Sequence, residues 1–237
     1  MASHLSPDSA RTQHALAQML AHDMRNPLAA IVANLSFLDH ACRDADREVR
    51  ETIADLHASA DVLLRLIDGT VTIAALETPE AGAHRARVSL RDVARAAAHA
   101  ASSNGRAPVR VDERGPDAEV LADPAMLTAA ATHLACNGAQ HSRRGAEVVL
   151  SVERRGARAA LVMTDEGTPF GAPEQHFTRE AQIDLKLRPG GRYERGLGLY
   201  VVGLVARAYD GAIETARDGA RSVVRVWFPV AGEEKAP

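Results

Sequence analysis

Ala21-His22-Asp23-Met24-Arg25-Asn26-Pro27-Leu28 sets a histidine and its acidic neighbour just ahead of a proline, inside a run with helical apolar spacing. The large apolar residues around it are Leu16, Leu20, Met24, Leu28, Ile31, Leu35 and Leu38. Steps of three or four residues define one stripe of an amphipathic helix. His22 lies two residues from both Leu20 and Met24, about 200° around the helix from each at roughly 100° per residue. The stripe is therefore expected to bury and His22 to face water. Asn26, one turn on, shares that exposed face.

An exposed imidazole with such neighbours suits chemistry. Neutral imidazole is a good nucleophile near neutral pH. The adjacent Asp23 carboxylate can accept a proton and fix the tautomer, and Asn26 can position a water. An ordinary solvated helix face accounts for these residues taken singly. Asn26 as the cap of a new helix with Pro27 at its first position is another reading, but the apolar stripe runs unbroken through Pro27. A proline inside a helix costs about 3 kcal/mol and leaves the carbonyl of Asp23 without its partner. Such a cost one turn after a reactive histidine suggests a bend used in function.

Outward from this stretch, residues 12–40 read as one long helix, followed by a polar break at Cys42-Arg43-Asp44-Ala45-Asp46. A second stripe runs Val49, Ile53, Leu56, Ala60, Leu63, Ile67, Val71, Ala74, with steps alternating four and three, the heptad signature. Two such helices make a hairpin. One hairpin cannot cover both stripes well, whereas two copies paired in a four-helix bundle would, so a homodimer is expected. Leu76 to Gly82, with Pro79, closes the second helix and reads as a linker.

Beyond it the pattern changes. Strand-like runs fall at 87–90, 109–112, 119–121, 148–153, 159–164, 212–215 and 223–228. Helical segments alternate with them near 91–102, 124–140 and 197–209. The spacing predicts an all-α hairpin followed by an α/β two-layer sandwich. The expected boundaries are a flexible 1–10, the hairpin at 11–78, a linker at 79–86, the α/β domain at 87–230 and a flexible 231–237. A long polar stretch at about 166–195, rich in Gly, Pro and Arg, is expected to be functional.

Bulk properties narrow the function. The net charge of −3 and the absence of a basic run with interleaved aromatics argue against nucleic-acid binding. Cys42 and Cys136 are the only cysteines, which fits a reduced, cytoplasmic chain. No apolar stretch approaches the ~18–20 residues that span a bilayer, so no membrane insertion is expected. Residues 1–10 lack the pattern of a secretory signal.

His22-Asp23-Met24-Arg25-Asn26-Pro27-Leu28 resembles the phosphoacceptor box of two-component sensor histidine kinases. The resemblance extends over residues ~10 to 230 and predicts both halves. It implies a dimerisation and phosphotransfer hairpin, then an ATP-binding domain of the Bergerat type shared with gyrase, Hsp90 and MutL. His22 would take the phosphoryl group and Asp23 would be its acid/base partner. Asn26 would match the position that orients water in dephosphorylating a partner.

Within the second half, Leu134-Ala135-Cys136-Asn137-Gly138-Ala139-Gln140-His141-Ser142 is similar to the asparagine-bearing helix that holds magnesium. Asn137 falls on the metal position, and His141 lies in the same nucleotide-binding stretch. An amide oxygen is a suitable hard ligand for Mg²⁺. His133 and Gln140 depart from the asparagine and lysine frequent there. Asp165-Glu166-Gly167-Thr168-Pro169 resembles the Asp-x-Gly-x-Gly box, in which the aspartate accepts from the adenine amino group. Asp165 and Gly167 match, and Pro169 replaces the second glycine.

Arg195-Gly196-Leu197-Gly198-Leu199 opens the third helix with glycines that let the backbone approach phosphate at a helix N-terminus. Glu194 stands where a further glycine is frequent. Arg179, Lys186, Arg188, Arg192 and Arg195 are candidate triphosphate contacts. The order and spacing of the three boxes outweigh their departures.

The resemblance implies autophosphorylation of His22 from ATP with Mg²⁺, transfer to an aspartate of a response-regulator receiver domain, and phosphatase activity toward that regulator. With ten residues ahead of the hairpin and no sensor domain, the expectation is that input comes from a separate sensory partner or that the chain is a fragment. Two alternatives compete: a phosphotransfer relay with a degenerate nucleotide domain that does not hydrolyse ATP, and a scaffold that only docks receiver domains or other kinases.

Overall fold

The computed structural model describes residues 7–78, 80–102, 107–143, 146–167, 176–178 and 197–232. It divides into two compact units, Met1–Pro79 and Glu80–Pro237. The first is an antiparallel helical hairpin of α1 (Pro7–Ala41) and α2 (Arg47–Leu76). Helix α1 continues as one element through Pro27. The turn is closed by backbone bonds from Cys42 N to Leu38 O (2.8 Å) and Ala45 N to Cys42 O (3.0 Å).

The stripes expected to bury do so only in part. Ala21, Leu28 and Leu35 of α1 meet Ala60 and Ile67 of α2 in one cluster, with Val32, Leu64 and Val71 packed against it. Ile53, one heptad before Ala60, is buried too. The other rows stay exposed: Met24, Ile31 and Leu38 on α1, with Leu16 and Leu20 before them, and Val49, Leu56 and Leu63 on α2. The reason is geometric. In a hairpin a single facing helix covers one side of each stripe, and the row three residues on points past it.

The second unit contains β1 (Ala86–Ser89), α3 (Leu90–Ser102), β2 (Val109–Asp112), β3 (Glu119–Ala122) and α4 (Pro124–His141). After these come β4 (Val148–Arg155), β5 (Arg158–Asp165), α5 (Gly198–Ala208), β6 (Ala212–Asp218) and β7 (Arg221–Pro229). Strands β2-β4-β5-β7-β6 form a five-stranded sheet, and β1-β3 a separate antiparallel pair. Only β2 and β4 pair in parallel, the rest of the larger sheet being antiparallel. Gly156 (φ 57°) and Gly219 (φ 60°) occupy the turns between β4 and β5 and between β6 and β7, where left-handed backbone favours glycine.

The core lies between the sheet and its helices. Residues two apart along a strand share a face, so Leu150, Leu161, Met163, Val224, Val226 and Phe228 form one inward surface. Leu127, Ala130, Ala131 and Leu134 of α4 and Val202 of α5 border a small void against Leu161, Val226 and Phe228. Helix α4 begins where Asp123 accepts from Ala125 N (2.8 Å) and Met126 N (3.1 Å), with Pro124 in its first turn. On the opposite face Ala160, Val162, Val223 and Trp227 form a smaller cluster. Arg225 lies over it between Glu153 (2.9 Å) and Glu214 (3.5 Å), and Glu214 also accepts from the Trp227 indole (3.1 Å).

Candidate functional site

On the hairpin, His22 and Asp23 are 74% and 70% exposed, and His22 Nδ1 lies 3.4 Å from Asp23 Oδ1. The neighbours in sequence are also neighbours in space because both project from the solvent side of α1. A carboxylate beside Nδ1 favours the tautomer with the proton there, which leaves the Nε2 lone pair toward solvent. Asn26 is exposed one turn on. Arg25 reaches to α2, donating through Nε (3.1 Å) and Nη2 (2.7 Å) to Asp68 Oδ1.

In the α/β unit, α4 and the end of β5 bring a second group together. Asn137 is half-buried on α4, one turn before His141. Asp165 ends the inward row of β5 and is only 3% exposed. Its carboxylate accepts from the backbone N–H of Gly167. Burial pushes the Asp165 carboxyl above the usual range, and the Gly167 N–H works against that shift. A Cβ added at Gly167 would lie 2.6 Å from both Asp165 Oδ1 and the His141 carbonyl oxygen. Glycine is what lets this turn settle between the carboxylate and the end of α4.

Gly198 begins α5. A Cβ there would lie 3.1 Å from His133 Nδ1, so α5 starts against α4 one turn before Asn137. The first turn of α5 offers backbone N–H groups without intrahelical partners, a setting that favours anions. Leu197 is half-buried and Leu199 buried, so the Leu199 side chain serves packing. Arg195, Gly196, Pro169 and Glu194, and most of the stretch 166–195 with Arg179, Lys186, Arg188 and Arg192, lie outside the described residues.

Sequence reasoning missed one residue here. Ser222 stands directly opposite Asp165 in the β5–β7 ladder, so both side chains point to the helix side of the sheet. Its Oγ is buried, with no hydrogen-bond partner among the described residues. A buried orphan hydroxyl is rare and calls for a ligand or water. Nothing in a serine at a strand start signals this, because the register with β5 is a tertiary fact.

These features fit a nucleotide with its metal ion. The Ser222 hydroxyl and the Asp165 carboxylate stand side by side as polar groups at the end of the inward strand rows, and Gly167 and Gly198 let their turns pack closely against α4. Among the described residues there is no cluster of three or more His, Cys, Asp or Glu able to hold a metal. The amide oxygen of a residue such as Asn137 is chemically suited to an ion that takes its other ligands from phosphate oxygens and water, the usual habit of Mg²⁺. No helix among the described residues is long and apolar enough to cross a membrane.

Residues 12–79 match the His Kinase A (phospho-acceptor) domain model. The sensor-like histidine kinase SenX3 of Mycobacterium tuberculosis is 27% identical over 235 residues, covering 95% of this chain and 57% of its own length. The sensory histidine kinase/phosphatase NtrB of Azospirillum brasilense is 25% identical, with 95% and 58% covered. The chain thus spans less than three-fifths of the length of these curated relatives. Among solved structures, full-length ShkA in complex with AMPPNP aligns with a TM-score of 0.59 at 22% identity, covering 91% of this chain and 46% of that one. The Acinetobacter baumannii histidine kinase AdeS aligns with a TM-score of 0.55 at 17% identity, covering 89% of this chain and 98% of that one. These two likenesses concern the fold.

Proposed function

We propose that this chain, a relative of the sensor histidine kinases, is an ATP-dependent protein-histidine kinase whose phosphoacceptor is His22. The observation that carries the reading is the exposed imidazole with Asp23 at Nδ1, inside the segment that matches the phospho-acceptor domain. Asp23 holds the Nδ1 proton and supports the positive charge that develops on the ring as Nε2 attacks the γ-phosphorus of ATP. The Nε2–P bond forms as the bond to the bridging oxygen breaks, and ADP leaves with the electron pair. The phosphoryl group then passes to an aspartate of a response-regulator receiver domain. Asn26, on the exposed face of His22, orients water for the reverse task of dephosphorylating that regulator.

In the α/β unit, Asp165 accepts from the adenine amino group, with Ser222 beside it as a second polar contact. Asn137 would be the protein ligand for Mg²⁺, and His141, one turn on along α4, would join the nucleotide-binding residues. Gly196 to Leu199 present backbone N–H groups to the phosphates, and Arg195 supplies charge. Bound Mg²⁺ neutralises phosphate charge during transfer. The exposed rows of the hairpin are closed by a second copy in a four-helix bundle. The reaction belongs in the cytoplasm, where ATP and receiver domains meet.

The test is incubation of the whole chain with Mg²⁺ and γ-labelled ATP, following acid-labile, base-stable label. Label on wild type that is absent from His22→Ala is expected. A folded protein that takes no label from ATP, yet accepts phosphate from a phosphorylated receiver domain, is a relay and the kinase reading is wrong.

A further inference from the structure

One charged contact on the hairpin has no part in the transfer described above. Arg25 donates through Nε and Nη2 to a single oxygen of Asp68, at 3.1 and 2.7 Å. This leaves its Nη1 donors and one face of the fork unspent. Both side chains are about half exposed, and an exposed pair of this kind is weak.

Arg25 is three residues after His22, so the two are surface neighbours on α1. A helical side chain leans over the turn on its N-terminal side, and for Arg25 that is the turn of His22. A phosphoryl group on His22 brings roughly two negative charges at neutral pH, against the single charge of Asp68. Arginine matches phosphate oxygens with parallel donors.

We infer that Arg25 is a positioning residue for the phosphoryl group on His22. It turns from Asp68 to the phosphoryl oxygens once His22 is modified, so phosphorylation releases a tie between α1 and α2. Asp23 on α1 and Asp68 on α2 oppose the incoming charge. Arg65, one turn before Asp68, has a buried Nη1 with no hydrogen-bond partner among the described residues, and its charge also acts on Asp61.

This inference rests on His22 as phosphoacceptor, and its test needs no ATP. The full chain is treated with phosphoramidate: the donor P–N bond breaks, a P–N bond to imidazole forms, and the imidazole proton leaves with ammonia. The ³¹P resonance of modified His22 is identified by its loss in His22→Ala, and the ionisation of the phosphorylated imidazole to its net dianion near neutral pH, where the label is stable, is followed through that resonance. A nearby cation favours the dianion. The midpoint in wild type is therefore expected about one pH unit below that in Arg25→Ala. Arg25→Lys should lie between them, and Asp68→Asn lowest because the competing carboxylate is gone.

The Arg25 Nε–H resonance should also move on labelling, and in His22→Glu, which sets a carboxylate at position 22 without any transfer. Equal midpoints in wild type and Arg25→Ala, or an unmoved Arg25 resonance in both the labelled chain and His22→Glu, overturn the inference. A shifted midpoint together with no labelling by ATP and Mg²⁺ overturns the kinase reading and leaves the role of Arg25 standing.

Discussion

On the hairpin, Val49, Leu56 and Leu63 alternate with Ile53, Ala60 and Ile67 along one stripe, and the first three are exposed while the last three are buried. In the α/β unit, Val148, Leu150 and Val152 alternate with Val149, Ser151 and Glu153, and the inward set is closed completely by helices of the same chain. Both regions carry regular apolar patterns. The difference is how many faces need covering. A sheet face is closed by one layer of helices, whereas a heptad stripe in a hairpin has two flanks and only one intramolecular neighbour. The hairpin leaves one row of each stripe uncovered, and the α/β unit closes its own core.

The sharpest way to break this contrast is to put charge on the uncovered rows. Ile31→Asp combined with Leu56→Asp is expected to convert a dimer to a monomer, weakening association at least ~100-fold, because two charges would have to be desolvated in the shared core. Sedimentation checks the mass. Melting of the wild-type hairpin should depend on protein concentration, as for any fold completed by association, while the α/β transition should not. Dimerisation that survives the double substitution shows that the exposed rows are not the interface.

A smaller effect is expected from Leu134→Ala, at a fully buried position facing the sheet. The loss should be about 3–4 kcal/mol, from transfer and cavity terms together. It should appear in the α/β transition alone in calorimetry. A matching loss in the hairpin transition would show that the two units do not melt separately.

The smallest effect concerns Asp165. Its folded-state carboxyl is raised by burial, so its contribution favours folding below the unfolded pKa and is lost as pH rises through the folded pKa. Asp165→Asn should therefore raise the melting temperature of the α/β unit by a few degrees at pH 7, make no gain at pH 3, and reduce binding of a fluorescent ATP analogue. A melting temperature at pH 7 that is unchanged or lower would show that the buried charge carries no stability cost.

Much of this architecture was legible in the residues. Periodicity located both long helices, and alternation located the strands to within a few residues, for example Val148–Arg155 where 148–153 was expected. These signals are strong because burial of one face imposes a fixed period on each element. The exposure of His22 beside Asp23 was legible because the helix period fixes which face each residue takes, whereas Asn137, Asp165 and Gly167 were singled out by resemblance to a family's motifs. Partial burial of the stripes, the opposition of Ser222 to Asp165, and the reach of Arg25 to Asp68 were not legible.

By itself, then, the sequence determined which segments are helix and which are strand, that a hairpin precedes an α/β layer, and that an exposed imidazole stands beside a carboxylate. Tertiary structure alone decided which half of each heptad stripe finds a partner within the chain. It also decided that a serine far along the chain faces Asp165 with its hydroxyl unspent, and that Arg25 crosses to the second helix. Period and local spacing act within a few residues, where chain connectivity fixes geometry. Strand register and helix-to-helix contact join residues remote in sequence, and only the packed chain sets those distances.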